Sequence, residues 1–303
     1  MKKMLKICLV LAAILVIGGV VIGWLMAGYT MSIHPQTLEE ARKWQEDHYD
    51  LSWYDRLEKQ DYTVDSYDGY TLHVQLLRNP GGSTKYVILS HGYTDNRIGS
   101  MKYAWIYLEL GFHVIAYDLR GHGLNEPTFC TYSAREGRDL DCLVKDTRSR
   151  YPELTVLGLH GESLGAASTI ACLGCQPEID FAVADCPFSD IETVLKDGAR
   201  ASHVPTLLMD LTSIGSKLRN GYSFRDMRPI DAIRDNQIPV LFFHGAQDSF
   251  ILPAHSQRLQ EADPGVSQRF LIEGAGHAES VLKAPEDYKN HVSAFLGELG
   301  LLG

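Results

Sequence analysis

A serine lies between glycines at residues 161–165, in the stretch Gly-Glu-Ser-Leu-Gly, where an apolar run gives way to small residues. A serine hydroxyl becomes a useful nucleophile only when a neighbouring base accepts its proton. The G-x-S-x-G spacing is typical of a sharp turn from strand to helix, because small residues at Gly161 and Gly165 let the two elements pass closely. The pattern therefore predicts that Ser163 is a nucleophile, if a strand precedes it and a helix follows.

A base and an acid follow Ser163 in the chain. Asp248 ends the stretch HGAQD after one apolar run, and His277 ends GAGH after the next. The imidazole would accept the serine proton, and the carboxylate would hold the imidazole in the right tautomer and stabilise its positive charge. Asp185 and Asp190, which flank CPFS after the preceding apolar run, are the alternative acids. We favour Asp248, because the HGxxD spacing is complete there and absent at the other position.

Other titratable side chains have a structural interpretation. His91 and His122, in SHGY and RGHG, are predicted to shape loops through hydrogen bonds, and His244 is predicted to be a structural histidine at a strand end. Asp118 and Arg120 are predicted to form a local ion pair. The spacing of the chemistry-bearing residues thus leaves Ser163, Asp248 and His277 as the candidate site.

Short apolar runs alternate with helical stretches along most of the chain. The predicted strands are residues 85–90, 113–118, 154–160, 181–186, 239–245 and 268–274. Helices are predicted around 102–111, at 134–150, from 164, from Pro253, and at 285–299. This alternation predicts a mostly parallel sheet with helices on both faces, entered through an antiparallel hairpin around Asp68-Gly69. Since ligands bind at the carboxyl ends of parallel strands, the three candidate residues should converge at one edge.

The segment 191–236 lacks strand runs and is predicted to be a helical insertion that could roof an active site. Its apolar residues Leu207, Leu208, Met209 and Leu211 indicate an apolar wall for a substrate. Alternatively, these side chains pack the insertion against the rest of the domain.

The first 29 residues predict a membrane anchor. No charged residue occurs from Ile7 to Tyr29, and these 23 residues would form a helix about 34 Å long, enough to cross a hydrocarbon layer of about 30 Å. The alternative is a cleaved signal peptide, but the apolar stretch is long and lacks a convincing cleavage site. Lysines 2, 3 and 6 should stay in the cytoplasm, which predicts a single-pass protein whose main domain lies outside.

Residues 30–59 are predicted to be a juxtamembrane helix and spacer, because Thr37 and Glu40 have the spacing of a capping box. Gly19 and Gly23 form a GxxxG pattern within the apolar stretch. Such a pattern can pair two membrane helices, but we interpret these glycines as merely tolerated. The remaining residues, 60–303, are predicted to form one domain.

The composition and charge of the chain limit the classes of ligand that it can bind. The chain of 303 residues has 45% apolar residues and a net charge of −10, so it can bury one large core and is unsuited to a nucleic-acid backbone. A small acyl substrate fits better. The CxxC at Cys172 and Cys175 has no second CxxC or histidine pair, and we interpret it as part of a buried helix, with no metal site. Five of the six cysteines follow the apolar stretch, so at least one should stay free.

From about residue 60 to its end, the chain resembles the α/β-hydrolase superfamily. Five motifs carry the resemblance, in the order that the superfamily has them: LSHGYTDN, YDLRGHG, GESLG, HGAQD and GAGH. The bacterial serine aminopeptidase-like and esterase or lysophospholipase-like members are the most similar. The resemblance implies that Ser163 is the nucleophile, His277 the general base and then acid, and Asp248 its orienting carboxylate. It further implies that the backbone N–H groups of Tyr93 and Leu164 form the oxyanion hole. No metal or organic cofactor is implied.

These motifs indicate a serine hydrolase that cleaves a carboxylic ester or related acyl bond through an acyl-enzyme at Ser163. A peptidase or an acyltransferase would use the same site. A catalytically silent, anchored binding module is the alternative from another class, since a fold does not guarantee activity.

Overall fold

The computed structural model describes residues 2–302, in which eight strands form one sheet. The strands are β1 Lys59–Asp65, β2 Thr71–Leu77, β3 Lys85–Ser90, β4 His113–Tyr117, β5 Val156–Glu162, β6 Phe181–Asp185, β7 Val240–Gly245 and β8 Ser267–Ile272. Their order across the sheet is β1-β2-β4-β3-β5-β6-β7-β8. β2 is antiparallel to both of its neighbours, and every pair from β4 to β8 is parallel. The predicted mostly parallel sheet with an antiparallel entry hairpin is confirmed.

Helices precede the sheet and connect its strands. The helices are α1 Lys2–Thr30, α2 Leu38–His48, α3 Ser52–Arg56, α4 Met101–Glu109, α5 Glu136–Arg150, α6 Leu164–Leu173, α7 Ile191–Ala201, α8 Leu207–Asn220, α9 Pro229–Ile233, α10 Ala254–Ala262, α11 Ser280–Lys283 and α12 Pro285–Glu298. Single 3₁₀ turns occur at Arg97–Ser100 and Phe224–Asp226. The helices predicted from the alternation of patterns are therefore present.

Strand β5 lies in the middle of the sheet, and all seven of its residues are buried. It runs two residues beyond its predicted end at 160, because Gly161 pairs with Ser90 of β3 on one side and with Ala184 of β6 on the other. The extension matters for function, since β5 ends at Glu162 and places Ser163 directly at the carboxyl edge.

Two layers of side chains cover the sheet, because successive strand residues point to opposite faces. Val87 and Leu89 of β3 belong to the core that contains α4 and α12. Tyr86 and Ile88, their alternating neighbours, belong to the core that contains α5 and α6. Both faces of the sheet are thus covered by apolar side chains, which is why its strands are near-continuous apolar runs.

Residues 191–236 form α7, α8, a 3₁₀ turn and α9 between β6 and β7, which confirms the helical insertion; we call this segment the cap. The predicted capping box of α2 is also present, since Glu40 N donates to Thr37 Oγ1 and the Glu40 side chain accepts from Thr37 N. Helix α2 packs on the sheet domain, where the buried Gln45 amide donates to Gly99 O at 3.1 Å. Helix α2 therefore packs against the 3₁₀ turn at Arg97–Ser100.

Within residues 2–302, α1 is the helix that is long and apolar enough to cross a membrane. The structure contradicts the interpretation that Gly19 and Gly23 of this helix are merely tolerated. A Cβ added at Gly23 would lie 2.1 Å from the carbonyl oxygen of Leu211, and one added at Gly19 would contact the Leu211 side chain at 3.5 Å. The GxxxG pattern packs α1 against cap helix α8.

Candidate active site

Ser163 occupies the turn between β5 and α6, as its motif predicts. Its backbone has φ 52° and ψ −112°, a conformation that side-chain-bearing residues rarely adopt. A Cβ added at Gly161 would lie 2.2 Å from Gly165 O, and one added at Gly165 would lie 2.2 Å from Ser90 O. Only glycine fits at either position, so the two flanking glycines let strand and helix approach and turn the serine outward.

Three side chains from three loops form one hydrogen-bonded line. Ser163 Oγ lies 2.9 Å from His277 Nε2, and His277 Nδ1 lies 2.7 Å from Asp248 Oδ2. Asp248 follows β7 and His277 follows β8, so both approach Ser163 from the carboxyl edge of the sheet. With Nδ1 donating to the carboxylate, Nε2 is free to accept the serine proton, which is the arrangement that nucleophilic catalysis requires.

The Asp248 carboxylate is buried and fully engaged. Its Oδ1 accepts from the backbone N–H groups of Phe250 and Ile251, both at 2.9 Å. Its Oδ2 also lies 3.3 Å from His244 Nε2, which places the predicted structural histidine beside the acid. Burial raises the pKa of Asp248, but the hydrogen bonds from His244 and His277 outweigh it and hold the pKa well below its usual range. The carboxylate is therefore ionised at neutral pH.

The predicted oxyanion donors are the N–H groups of Tyr93, in the loop after β3, and of Leu164, at the start of α6. Gly92 is so close to the turn that a Cβ added to it would lie 3.8 Å from Ser163 Cβ, and Tyr93 follows it. Leu164 is the first residue of α6, where backbone N–H groups lack helical partners and the helix dipole favours negative charge. Neither the Tyr93 nor the Leu164 N–H donates to a protein acceptor within residues 2–302. Both donors are available for an oxygen that gains charge.

The two alternative acids have other partners. Asp185 is buried; its carboxylate accepts from Ser280 Oγ at 2.8 Å, and its Oδ2 lies 3.0 Å from Tyr103 Oη. Burial, with the nearby Glu162 adding to it, raises the pKa of Asp185 to about 6. Asp190 caps helix α7 by accepting from Thr193 N at 2.8 Å. Of the three acids considered, the structure brings only Asp248 to His277.

A buried polar cluster under the serine turn was missed by the sequence reasoning. Glu162 forms an ion pair with Lys102 of α4, and Tyr103 Oη donates to Glu162 Oε2 at 2.7 Å. Burial lowers the pKa of Lys102, but Glu162 outweighs it and leaves the pKa raised. The available signal was a lysine inside the apolar stretch of α4, because a buried cation needs a buried acid.

One predicted ion pair is wrong. Asp118 pairs with Arg97, whereas Arg120 pairs with Asp139 of α5 and with Asp68 in the hairpin turn. Both partners of Arg120 lie far away in sequence, and its buried guanidinium takes the carboxylates that packing brings to it.

The predicted loop histidines hold the motif loops together. His91 Nε2 accepts from Leu119 N at 2.9 Å, and His122 Nδ1 lies 2.9 Å from Arg120 O. Burial lowers the pKa of both rings, so they are neutral at pH 7. Their predicted structural role is confirmed.

Cys186, Asp248 and His277 offer three ligand atoms within 4.8 Å of one another. Burial raises the pKa of the Cys186 thiol well above its ordinary value, which disfavours the thiolate that metals bind. A metal there would also replace the hydrogen bond between His277 and Asp248. The set fits the hydrogen-bonded line better than a metal site.

The sequence matches a known family and a relative over most of its length. Residues 82–237, more than half of the chain, match the family model described as Serine aminopeptidase, S33. The protein YqkD of Bacillus subtilis (strain 168), described as uncharacterized, is 31% identical over 305 residues, which is 98% of each chain.

Solved structures share the fold at lower identity. The Pyrococcus furiosus esterase Pf2001 has a TM-score of 0.70 at 24% identity, over 88% of this chain and 98% of that chain. The acylaminoacyl peptidase of Pyrococcus horikoshii has a TM-score of 0.62 at 13% identity, over 81% of this chain and 42% of that chain. The Exiguobacterium antarcticum esterase EaEST has a TM-score of 0.58 at 15% identity, over 78% of this chain and all of that chain.

Proposed function

Because the chain belongs to the serine aminopeptidase S33 family, and is thus a hydrolase of the α/β-hydrolase type, we propose that it cleaves carboxylic esters through an acyl-enzyme on Ser163. The observation that carries the proposal is the hydrogen-bonded line from Ser163 through His277 to Asp248. The order of these residues along the chain and their convergence at one sheet edge both support it.

The reaction proceeds in two halves. Ser163 Oγ attacks the acyl carbon while its proton passes to His277 Nε2, and the carbonyl oxygen becomes an oxyanion that the N–H groups of Tyr93 and Leu164 bind. The C–O bond of the ester then breaks, and His277 returns the proton to the leaving alcohol. In the second half His277 takes a proton from water, the hydroxyl attacks the acyl-enzyme, and the protonated imidazole restores Ser163 as the carboxylic acid leaves. Asp248 stabilises the imidazolium in both halves.

An apolar rim supports an ester with an apolar acyl group. The Phe250 ring is 66% exposed and its centroid lies 5.0 Å from that of the His277 ring. Leu252 is exposed in the same loop. Exposed large apolar side chains next to the reacting groups favour an apolar substrate over the polar backbone of a peptide.

We also propose that α1 anchors the protein in the cell membrane as a single span, with the hydrolase domain outside the cytoplasm. In this organisation residues 1–29 form the anchor, 30–59 the juxtamembrane segment, and 60–303 the hydrolase domain with its cap at 191–236. The uncharged stretch from Ile7 to Tyr29 of α1 and the lysines in its first turns support the anchor and its orientation. Protease digestion of intact cells tests the orientation: the domain should be digested, and full protection would place it in the cytoplasm.

Active-site labelling tests the nucleophile. A fluorophosphonate, which reacts with activated serines, should label the wild-type chain and fail to label Ser163→Ala. Ser168→Ala is the matched control, because its buried hydroxyl lies five residues further along the chain and donates to Leu164 O at 2.7 Å. Labelling of Ser163→Ala equal to that of Ser168→Ala would remove Ser163 from the mechanism.

A substrate screen tests the bond that is cleaved. We expect turnover of p-nitrophenyl esters that rises with acyl length, and little turnover of aminoacyl p-nitroanilides. Faster cleavage of the anilides would make the protein a peptidase on the same site. Full labelling without turnover of either class would indicate another acyl acceptor.

A further inference from the structure

Helix α8 of the cap and the C-terminal half of α1 cross with their backbones in close contact. A Cβ added at Gly215 would lie 2.1 Å from the carbonyl carbon of Gly23, and one added at Gly23 would lie 2.1 Å from Leu211 O. Close approach through glycine is how helices pack inside membranes, where burial of apolar surface gives no advantage. The contact is therefore of the kind that lipid surroundings favour.

The two helices stay together over several turns. Leu211 contacts the position of Gly19, and further along both helices the Arg219 guanidinium lies 4.1 Å from the centroid of the Trp24 ring. Both helices thus run in the same direction, with Leu211 of α8 at the level of Gly19 to Gly23. Arginine and tryptophan side chains are typical of the membrane–water interface, so the pair indicates the level at which α1 leaves the lipid.

An apolar stripe on α8 lies beside this contact and is exposed. Leu207, Ile214 and Leu218 are 64%, 50% and 64% exposed, and they share one helix face with Leu211 by their spacing. Polar residues such as Asp210 and Lys217 lie on the other side, where Asp210 pairs with Lys196 of α7. The exposed apolar surface of α1 continues directly into this stripe.

We propose that α8 inserts this stripe into the membrane leaflet through which α1 emerges, so that the cap is a membrane-docking element; the proposal rests on the anchor proposed above. The depth is consistent. Leu211 contacts Gly19, which lies five residues before Trp24, or about 7 Å along a helix, and interfacial helices bury their apolar face to a depth of about 5–10 Å.

This docking holds the active site at the lipid surface. The chain that follows α1 is bonded directly to the oxyanion loop, since Tyr93 Oη donates to Ser32 O at 2.6 Å and Gln36 N donates to Thr94 O at 2.7 Å. Both acceptor and donor lie within six residues of Thr30, where α1 ends. These hydrogen bonds fix the position of the active site relative to the anchor. The substrate class that fits this position is an acyl ester carried in the same leaflet.

Depth-dependent quenching tests the docking in the full chain. The exposed or half-exposed Cys8, Cys142 and Cys175 are replaced with serine, and an environment-sensitive fluorophore is attached at Leu207→Cys or Leu218→Cys in phosphatidylcholine–phosphatidylglycerol nanodiscs. Nitroxide-labelled lipid should quench both probes. The matched control is Val266→Cys, an apolar residue that is 62% exposed and directly precedes β8, at the edge of the sheet opposite the active site; its probe should keep its emission.

Two glycine variants test the role of the helix contact. Gly23→Leu should separate α8 from α1 and reduce quenching of the probe at position 207. Gly18→Leu is its matched control, because a Cβ at Gly18 meets nothing within 4 Å, and it should leave the quenching unchanged.

Two outcomes would overturn the proposal, and they are distinguishable. If the chain resists extraction by alkaline carbonate but the probes at 207 and 218 are quenched no more than the probe at 266, the anchor stands and the docking does not. The same conclusion follows if these positions cross-link between two copies and are shielded from lipid. If carbonate releases the chain, the anchor proposal fails and the docking fails with it.

Discussion

Asp248→Asn separates the orienting role of the acid from its role in folding. In the native site, Oδ1 accepts from two backbone N–H groups, of Phe250 and Ile251, and Oδ2 faces His277 Nδ1. An asparagine keeps the two backbone bonds only if its amide oxygen takes the Oδ1 position. Its amide nitrogen, a donor, then faces His277 Nδ1 and forces that atom to accept.

The substitution therefore puts the His277 imidazole in the wrong tautomer for catalysis. With Nδ1 accepting, the imidazole proton moves to Nε2, which lies 2.9 Å from Ser163 Oγ and can no longer accept the serine proton. The imidazolium also loses its neighbouring negative charge. In triads of this kind the exchange of the acid for its amide lowers kcat by about 10⁴-fold, which corresponds to about 5 kcal/mol of transition-state stabilisation. We expect a loss of this size with the fold retained.

The assay is hydrolysis of p-nitrophenyl butyrate by the full chain in detergent micelles, with circular dichroism to confirm folding. Asp190→Asn is the matched control, because it makes the same chemical change at a rejected alternative acid and asparagine is as good a helix N-cap as aspartate. Its kcat should stay near that of the wild type. If folded Asp248→Asn kept a tenth or more of wild-type kcat, or if Asp190→Asn fell as far, the reasoning would be refuted.

Two further predictions concern the serine turn and the cluster below it. Gly165→Ala should unfold the turn and abolish fluorophosphonate labelling, because the added Cβ would lie 2.2 Å from Ser90 O. Gly297→Ala is the control: a Cβ at this helical position meets nothing, so the substitution should raise the free energy of unfolding by about 0.5–1 kcal/mol, as thermal unfolding would measure. The Asp185 carboxyl, with its pKa raised to about 6, retains a proton in the folded state that the unfolded chain releases near pH 4. Stability should therefore fall between about pH 4 and pH 6, by up to about 3 kcal/mol from this residue. Asp185→Asn should remove that part of the fall; equal slopes in urea unfolding of both proteins would contradict it.

The sheet and the three triad candidates were predictable for a specific reason. Each of Ser163, Asp248 and His277 follows a short apolar run, and parallel strands bring their carboxyl ends to one edge whatever the loop lengths. The convergence thus depends on strand type and order, which local patterns reveal. The ion pairs do not have this property. Arg120 reaches Asp139 and Asp68 through side-chain packing, and nothing in the local sequence distinguishes these acids from Asp118.

The contact between the cap and α1 shows a second limit of prediction from the sequence. The apolar residues of α8 indicated that something apolar covers the helix, and the sequence allowed a substrate or the rest of the domain. The structure places Leu211 against Gly19 and Gly23 of α1, and leaves Leu207 exposed. Two glycine-containing helices almost 200 residues apart carry no local signal that they will meet, so this contact could be seen only once the fold was known.

The polar cluster explains how a strained serine turn is held in place. A positive φ at a residue with a side chain persists only when the surrounding structure leaves no alternative. Ser163 N donates to Asp185 O at 2.8 Å, and the Asp185 carboxylate is bonded to Tyr103 of α4 and Ser280 of α11. Lys102 of the same α4 pairs with Glu162, the residue before the serine. Relaxing the turn would move Glu162 or Asp185 and break charge-assisted bonds that water cannot replace at this depth, so the buried cluster supplies the constraint that keeps the hydroxyl aimed at His277.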